Sequence, residues 1–134
     1  MGLDMYAYVG RAKQYHDHWR QGEWNPDTKK FESRVEKPRE LAYWRKHPNL
    51  HGWMRQLWIE KGHQGDFNSD ELELTWADID RLEQDLRGGR LPHTQGFFFG
   101  DAADDYYREQ DLEFCRKARA ELFLGLQVFY NSSW

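Results

Sequence analysis

The chain has 134 residues, of which 39% are apolar, 31% charged and 16% aromatic, with seven tryptophans and a formal net charge of −4 at pH 7. That length makes a single domain able to bury a real core, and the aromatic content excludes a disordered chain. Acidity argues against a general nucleic-acid binder, and a lone cysteine, Cys115, excludes an internal disulfide or a thiolate metal cluster.

Residues 3–9, LDMYAYV, alternate strictly. Leu3, Met5, Ala7 and Val9 fall to one side and Asp4, Tyr6 and Tyr8 to the other, which predicts a strand with one apolar face. The polar stretch from about 11 to 37 follows, an exposed arm or irregular loop. Asn25-Pro26-Asp27 has type I turn chemistry, and its flanks are expected to pair as a weak hairpin.

From Lys37 to Gly62 the pattern predicts helix. Leu50, Trp53, Met54, Leu57 and Trp58 repeat at i, i+3, i+4, i+7, i+8, and Tyr43 and His47 extend the stripe upstream. Pro48 interrupts it, either as a kink or as the first residue of a second helix. A short strand, DELELT, comes next. Thr75 then caps a helix with Asp78 three residues on, Ile79, Leu82 and Leu86 form its buried stripe, and Gly88-Gly89 ends it. GFFFG is expected to be a central strand or its end. A last helix opens at Asp101 or Asp104 and reaches about Phe123, and LQVFY is a final strand.

This order predicts an α+β fold: one small, mainly antiparallel sheet of about four strands, packed with about three helices, plus the polar arm. Both terminal strands alternate, which suits sheet edges or a sheet with one wet face.

Four segments carry a resemblance. MGLDMY, ELAYWRKHPNLHGWM, LPHTQGFFFG and VFYNSSW together resemble a family of small phage, prophage and bacterial proteins. The likeness spans nearly the whole chain except about 11–37. It implies a phage or prophage accessory protein and brings no chemistry with it. Some members carry a phosphoglycerate kinase label. That enzyme closes two large domains around its substrates, whereas this chain is one small domain without a G-x-x-x-x-G-K-[ST] loop.

His47 and His51, four apart, have the spacing to share a metal on one helix face, but the Glu that follows the first His of a zincin is replaced here by Pro48. The plainer reading has both rings packing where the helix bends. Asp101 and Asp104, with Asp105, have the chemistry to hold magnesium or calcium, although carboxylates also gather at helix starts for the dipole alone. His16, Asp17 and His18 read as a solvated polar loop. Cys115 reads as a buried apolar residue. Arg45 and Lys46, with Lys37, Arg39 and the Lys29-Lys30 pair, make a basic patch beside Tyr43 and Trp44, suited to phosphate or single-stranded nucleic acid, or simply a solvated face laced with ion pairs.

Charge is uneven: residues 1–61 hold 12 Lys and Arg against 8 Asp and Glu, and residues 62–134 hold 7 against 15. With no catalytic signature, the favoured expectation is a non-enzymatic protein-binding or inhibitory factor acting on a host or phage protein. Its ring anchors would be drawn from Tyr6, Tyr8, Trp19, Trp24, Tyr43, Trp44 and Trp134. The alternative is a small metal- or nucleotide-dependent enzyme using His47, His51, Asp101 and Asp104, with His93 near; a phosphate or nucleic-acid binder ranks third. No cofactor is expected. No apolar run approaches the ~20 residues of a membrane helix and no signal peptide opens the chain, so a cytoplasmic location is expected.

Overall fold

The computed structural model describes residues 2–94 and 104–134. Its elements are β1 (Asp4–Gly10), α1 (Gln14–Arg20), β2 (Gly22–Asn25), β3 (Lys30–Ser33), β4 (Arg39–Arg45), α2 (Pro48–Glu60), β5 (Leu72–Leu74), α3 (Trp76–Arg87), α4 (Asp104–Phe123) and β6 (Gln127–Ser133). Strands β4, β1, β6 and β5 lie side by side in that order, every neighbouring pair antiparallel, and β2 and β3 form a separate hairpin. The α+β class read from the sequence is the class observed.

Alternation in β1 and β6 sends two sets of side chains to opposite sides. Leu3, Met5, Ala7 and Val9, with Val128, Tyr130, Leu72 and Leu74, enter the core. Leu50, Trp53, Met54, Leu57 and Trp58 from α2, Ile79, Leu82 and Leu86 from α3, and Phe114, Cys115 and Ala118 from α4 fill the rest of it. These are the helical stripes the periodicity predicts. The α3 start is a full capping box: Thr75 Oγ1 accepts from Asp78 N–H at 3.2 Å, and Asp78 Oδ2 accepts from Thr75 N–H at 2.9 Å. Gly125, at φ +83°, makes the turn from α4 into β6.

Several expectations need correction. The helix expected from Lys37 onward is absent over 39–45, where the chain is strand β4. A bulge opposite Ala7 and Tyr8 puts Leu41 out of step. The apolar positions Leu41 and Trp44 are therefore three apart, a helical spacing produced by a bulged strand. Pro48 is the first residue of α2, with His47 as its N-cap, so the His47–His51 spacing marks a helix start rather than a bend. The terminal strands β1 and β6 are the two central strands, not edges. The polar arm holds the expected hairpin, Asn25 pairing with Lys30, but also α1, an unpredicted fourth helix in which no residue is buried. The expected GFFFG strand lies outside the described residues.

Among the described residues the outermost strands of the main sheet are β4 and β5, and each has outward carbonyls already bonded. The Tyr43 and Arg45 carbonyls of β4 accept from Gln110 Nε2 at 2.6 Å and Tyr107 Oη at 2.5 Å, both on α4. The Glu73 carbonyl of β5 accepts from Lys61 Nζ at 2.6 Å. Each bond removes an acceptor that a foreign strand would otherwise use.

Candidate functional site

Two places gather residues with chemistry. The first is the sheet face turned away from α2, α3 and α4. Tyr6 and Tyr8 of β1, Glu40 and Tyr43 of β4 and Phe129 of β6 lie across it, Tyr8 pairing with both Glu40 and Phe129 and Tyr6 with Tyr43. Helix α1 covers part of this face. Tyr15 stacks on Tyr8, ring centroids 5.1 Å apart at 15°, and Trp19, one turn further on, meets Tyr15 edge-on. Trp19 also packs on Phe31 of the hairpin, with Lys37 Nζ 5.5 Å from its ring. The arm is fastened by His18 Nδ1 to the Val35 carbonyl at 2.6 Å, Gln14 Nε2 to the Glu36 carbonyl at 2.8 Å, and Lys13 N–H to Glu71 Oε1 at 2.8 Å.

The tyrosines are electrically distinct. Tyr8 is buried, donates to Glu71 Oε2 at 2.8 Å, and its phenol is pushed far above the usual range, by burial first and by Glu71 next among the raising causes. Burial followed by the charge of Asp4 raises Tyr6. Tyr43 donates to Asp4 Oδ1 at 2.7 Å, and that bond raises its phenol. All three stay protonated at neutral pH.

Large rings stand exposed on this face and on its arm: Trp24 of the hairpin is 60% exposed, Trp19 44% and Tyr43 41%. Of the residues expected to bind, the fold brings Tyr6, Tyr8, Tyr43 and Trp19 together, with Trp24 on the same hairpin arm. Trp44 is elsewhere: its ring is fully buried in the core, on the other side of β4 from Tyr43. Trp134 packs against the core, its Nε1–H donating to the Phe67 carbonyl at 2.9 Å. Arg45 stands 4.0 Å from Asp4, Arg39 pairs with Glu121 at 2.7 Å, and Lys46 is exposed. Arg39 and Arg45 thus meet acidic neighbours of their own, while Lys29, Lys30 and Lys46 stand exposed. His16, Asp17 and His18 lie on α1, where Asp17 pairs with Arg11 and Arg20.

Tyr15, Pro38 and Glu40 belong to this site and were not expected. The spacing of Tyr15 and Trp19 was the available signal, since i and i+4 share a helix face.

The second place is a buried polar set at the start of α2. Asp111 accepts from Trp44 Nε1–H on Oδ1 at 2.8 Å, and its Oδ2 lies 2.7 Å from His47 Nε2. His47 and Asp111 are both buried, and the His47 ring stacks on Tyr107 at 4.6 Å. A carboxylate accepts only, so this pair assigns a proton to His47 Nε2. One turn along, Tyr130 Oη lies 2.7 Å from His51 Nδ1, and the His51 ring stacks on Phe67. Burial, then Arg55, lowers the His51 pKa to about 4, so the ring is neutral and Tyr130 donates to it. Asn49 Oδ1 accepts from Thr94 N–H at 2.8 Å.

Each histidine therefore commits one nitrogen to a protein partner rather than to a shared metal. Among the described residues, no three of His, Cys, Asp and Glu are arranged to hold a metal ion. Asp101 lies outside the described residues, and Asp104 opens α4 without a described side chain. His93 is exposed, on the segment that follows α3. Cys115 is buried and its thiol is pushed up to about 12 by desolvation, the opposite of a reactive thiolate. Among the described residues no helix is long and apolar enough to cross a membrane.

Comparison with protein-family models, with curated proteins and with solved structures finds no match to this chain.

Proposed function

We propose that this chain is a non-enzymatic protein-binding factor, of the phage or prophage accessory kind its motifs resemble, acting in the cytoplasm on a host or phage protein. Its docking surface is the outer sheet face together with the α1–hairpin arm. One observation carries the reading: Tyr43 and Trp19 stand exposed at a tyrosine-lined sheet face and its covering helix, and Trp24 stands exposed on the hairpin whose Phe31 packs on Trp19. Exposed aromatic rings are the residues that anchor protein interfaces. The buried thiol and the bonded carbonyls of β4 and β5 support it further, because they leave no reactive cysteine exposed and fewer free strand acceptors, while Phe123, Leu124 and Leu126 form a separate exposed apolar group at the turn from α4 into β6.

The test is capture from host lysate by the tagged protein, repeated with Trp24→Ala and Tyr43→Ala. These rings lie outside the main core, so the variants are expected to fold. A partner retained near one to one by the wild type and lost by both variants is the expected result. Equal capture by all three contradicts the reading.

A second reading, a small metal- or nucleotide-dependent enzyme, takes its support from the buried His47–Asp111 pair. It predicts that Asp111→Asn weakens binding of Mg2+ or ATP without altering partner capture. The protein-binding reading predicts no saturable binding of either.

A further inference from the structure

Between α1 and the outer sheet face lies a small pocket of about 40 Å3 lined by Tyr6, Tyr8, Tyr15, Lys37, Pro38 and Glu40. We infer that this pocket receives an organic cation, the basic side chain of a protein partner, held among the tyrosine rings and by Glu40. The inference rests on the protein-binding reading and names what the partner must present.

Three features of the pocket point to a cation. Three of its six lining residues are tyrosines, and aromatic rings attract positive charge. Its surroundings are acidic: Asp4 and Glu40 both act on the Tyr6 hydroxyl, and Glu71 accepts from Tyr8. The same ring cluster already holds one cation, because Lys37 Nζ sits over Trp19 at 5.5 Å. Lys37 and Arg45 are the opposing charges at this face. Arg45 stands beside Asp4, while Lys37 lines the pocket itself and leans onto Trp19. Lys37 is thus an internal competitor for the partner's charge. The volume suits the end of one side chain and is too small for a nucleotide.

The probe is choline, titrated into the full chain against its neutral isostere 3,3-dimethylbutan-1-ol, with tyrosine ring resonances followed by NMR. Choline is expected to shift the Tyr6 and Tyr15 rings saturably, with the isostere about two- to fivefold weaker, the factor an exposed cation–π contact supplies. Glu40→Gln is expected to weaken choline and Lys37→Ala to strengthen it. Equal shifts from both probes, no saturation, or weaker binding by Lys37→Ala would overturn the cation pocket. Partner capture that still depends on Trp24 and Tyr43 would then leave the protein-binding reading standing. Loss of that dependence is the separate failure of the reading itself.

Discussion

Acidification from pH 7 to 4 is expected to cost this fold about 3 kcal/mol through His51 alone. The ring is 1% exposed, stacked on Phe67, and accepts from Tyr130 Oη. Its pKa falls from 6.5 to about 4, chiefly because burial opposes the imidazolium and secondarily because Arg55 lies one turn along. In the unfolded chain the ring protonates near pH 6.5. Between those values the unfolded state binds more protons than the folded one, so stability falls as pH falls, from about 6.5 downward, and levels off below about 4. At about 1.4 kcal/mol per tenfold change in proton affinity, that lowering corresponds to about 3 kcal/mol. Carboxylates held low by partners, such as Asp78 beside Lys61 and Glu83 beside Arg119, also lose their contribution in acid. The comparison that isolates His51 is with His51→Gln, which keeps an acceptor for Tyr130 and does not titrate. Urea midpoints for both proteins at pH 7, 6, 5 and 4 give two stability curves whose carboxylate terms cancel. The wild type is expected to lose about 3 kcal/mol more than the variant over that range. Parallel curves would refute the argument, because His51 would then be solvated in the folded protein.

Three further outcomes follow from packing and polar satisfaction. Asp111→Ala strands the buried donors of Trp44 and His47 and is expected to cost about 3–5 kcal/mol in urea unfolding, whereas a loss under about 1 kcal/mol would mean that water reaches the pair. Gly52→Ala places a Cβ 1.9 Å from Thr94 Oγ1 and 3.0 Å from Thr94 Cβ, so it should destabilise by about 1–3 kcal/mol and be largely relieved in the Gly52→Ala/Thr94→Gly double variant. Thr75→Ala removes the acceptor for the Asp78 amide, with an expected cost of about 1 kcal/mol read as a lower urea midpoint at unchanged slope.

Legibility in the sequence followed how locally each element is determined. Helix α3 carries its own cap, its own apolar period and its own Gly-Gly stop within fifteen residues, and it was read correctly. Strand β4 needed knowledge of its partner, because the bulge opposite Ala7 and Tyr8 exists only when β1 is beside it. Helix α1 buries no residue, and its one ring pair, Tyr15 and Trp19, is too short a stripe to mark a helix by itself. Its position is set by Tyr15 on Tyr8 and by Gln14 and His18 on the 35–36 backbone, contacts that alternation within β1 does not reveal. The central placement of β1 and β6 was hidden for a related reason: their outer faces carry Tyr6, Tyr8 and Asn131, which look solvated until α1 and the neighbouring strands are placed. At the candidate site, Tyr6, Tyr8 and Tyr43 were legible as rings on alternating positions. Tyr15, Pro38 and Glu40 entered only through the fold, as did Asp111, which meets His47 across 64 residues of chain.

The central claim is that the arm and the outer sheet face dock a protein. Its most direct measurement is quantitative capture of a host-lysate partner by the wild type and by Trp24→Ala, with urea unfolding confirming that both are equally stable. The account predicts one partner retained near one to one by the wild type and at least tenfold less by the variant, about 1.4 kcal/mol or more for an anchoring ring. Identical retention by the two proteins, or no partner retained by either, would contradict it.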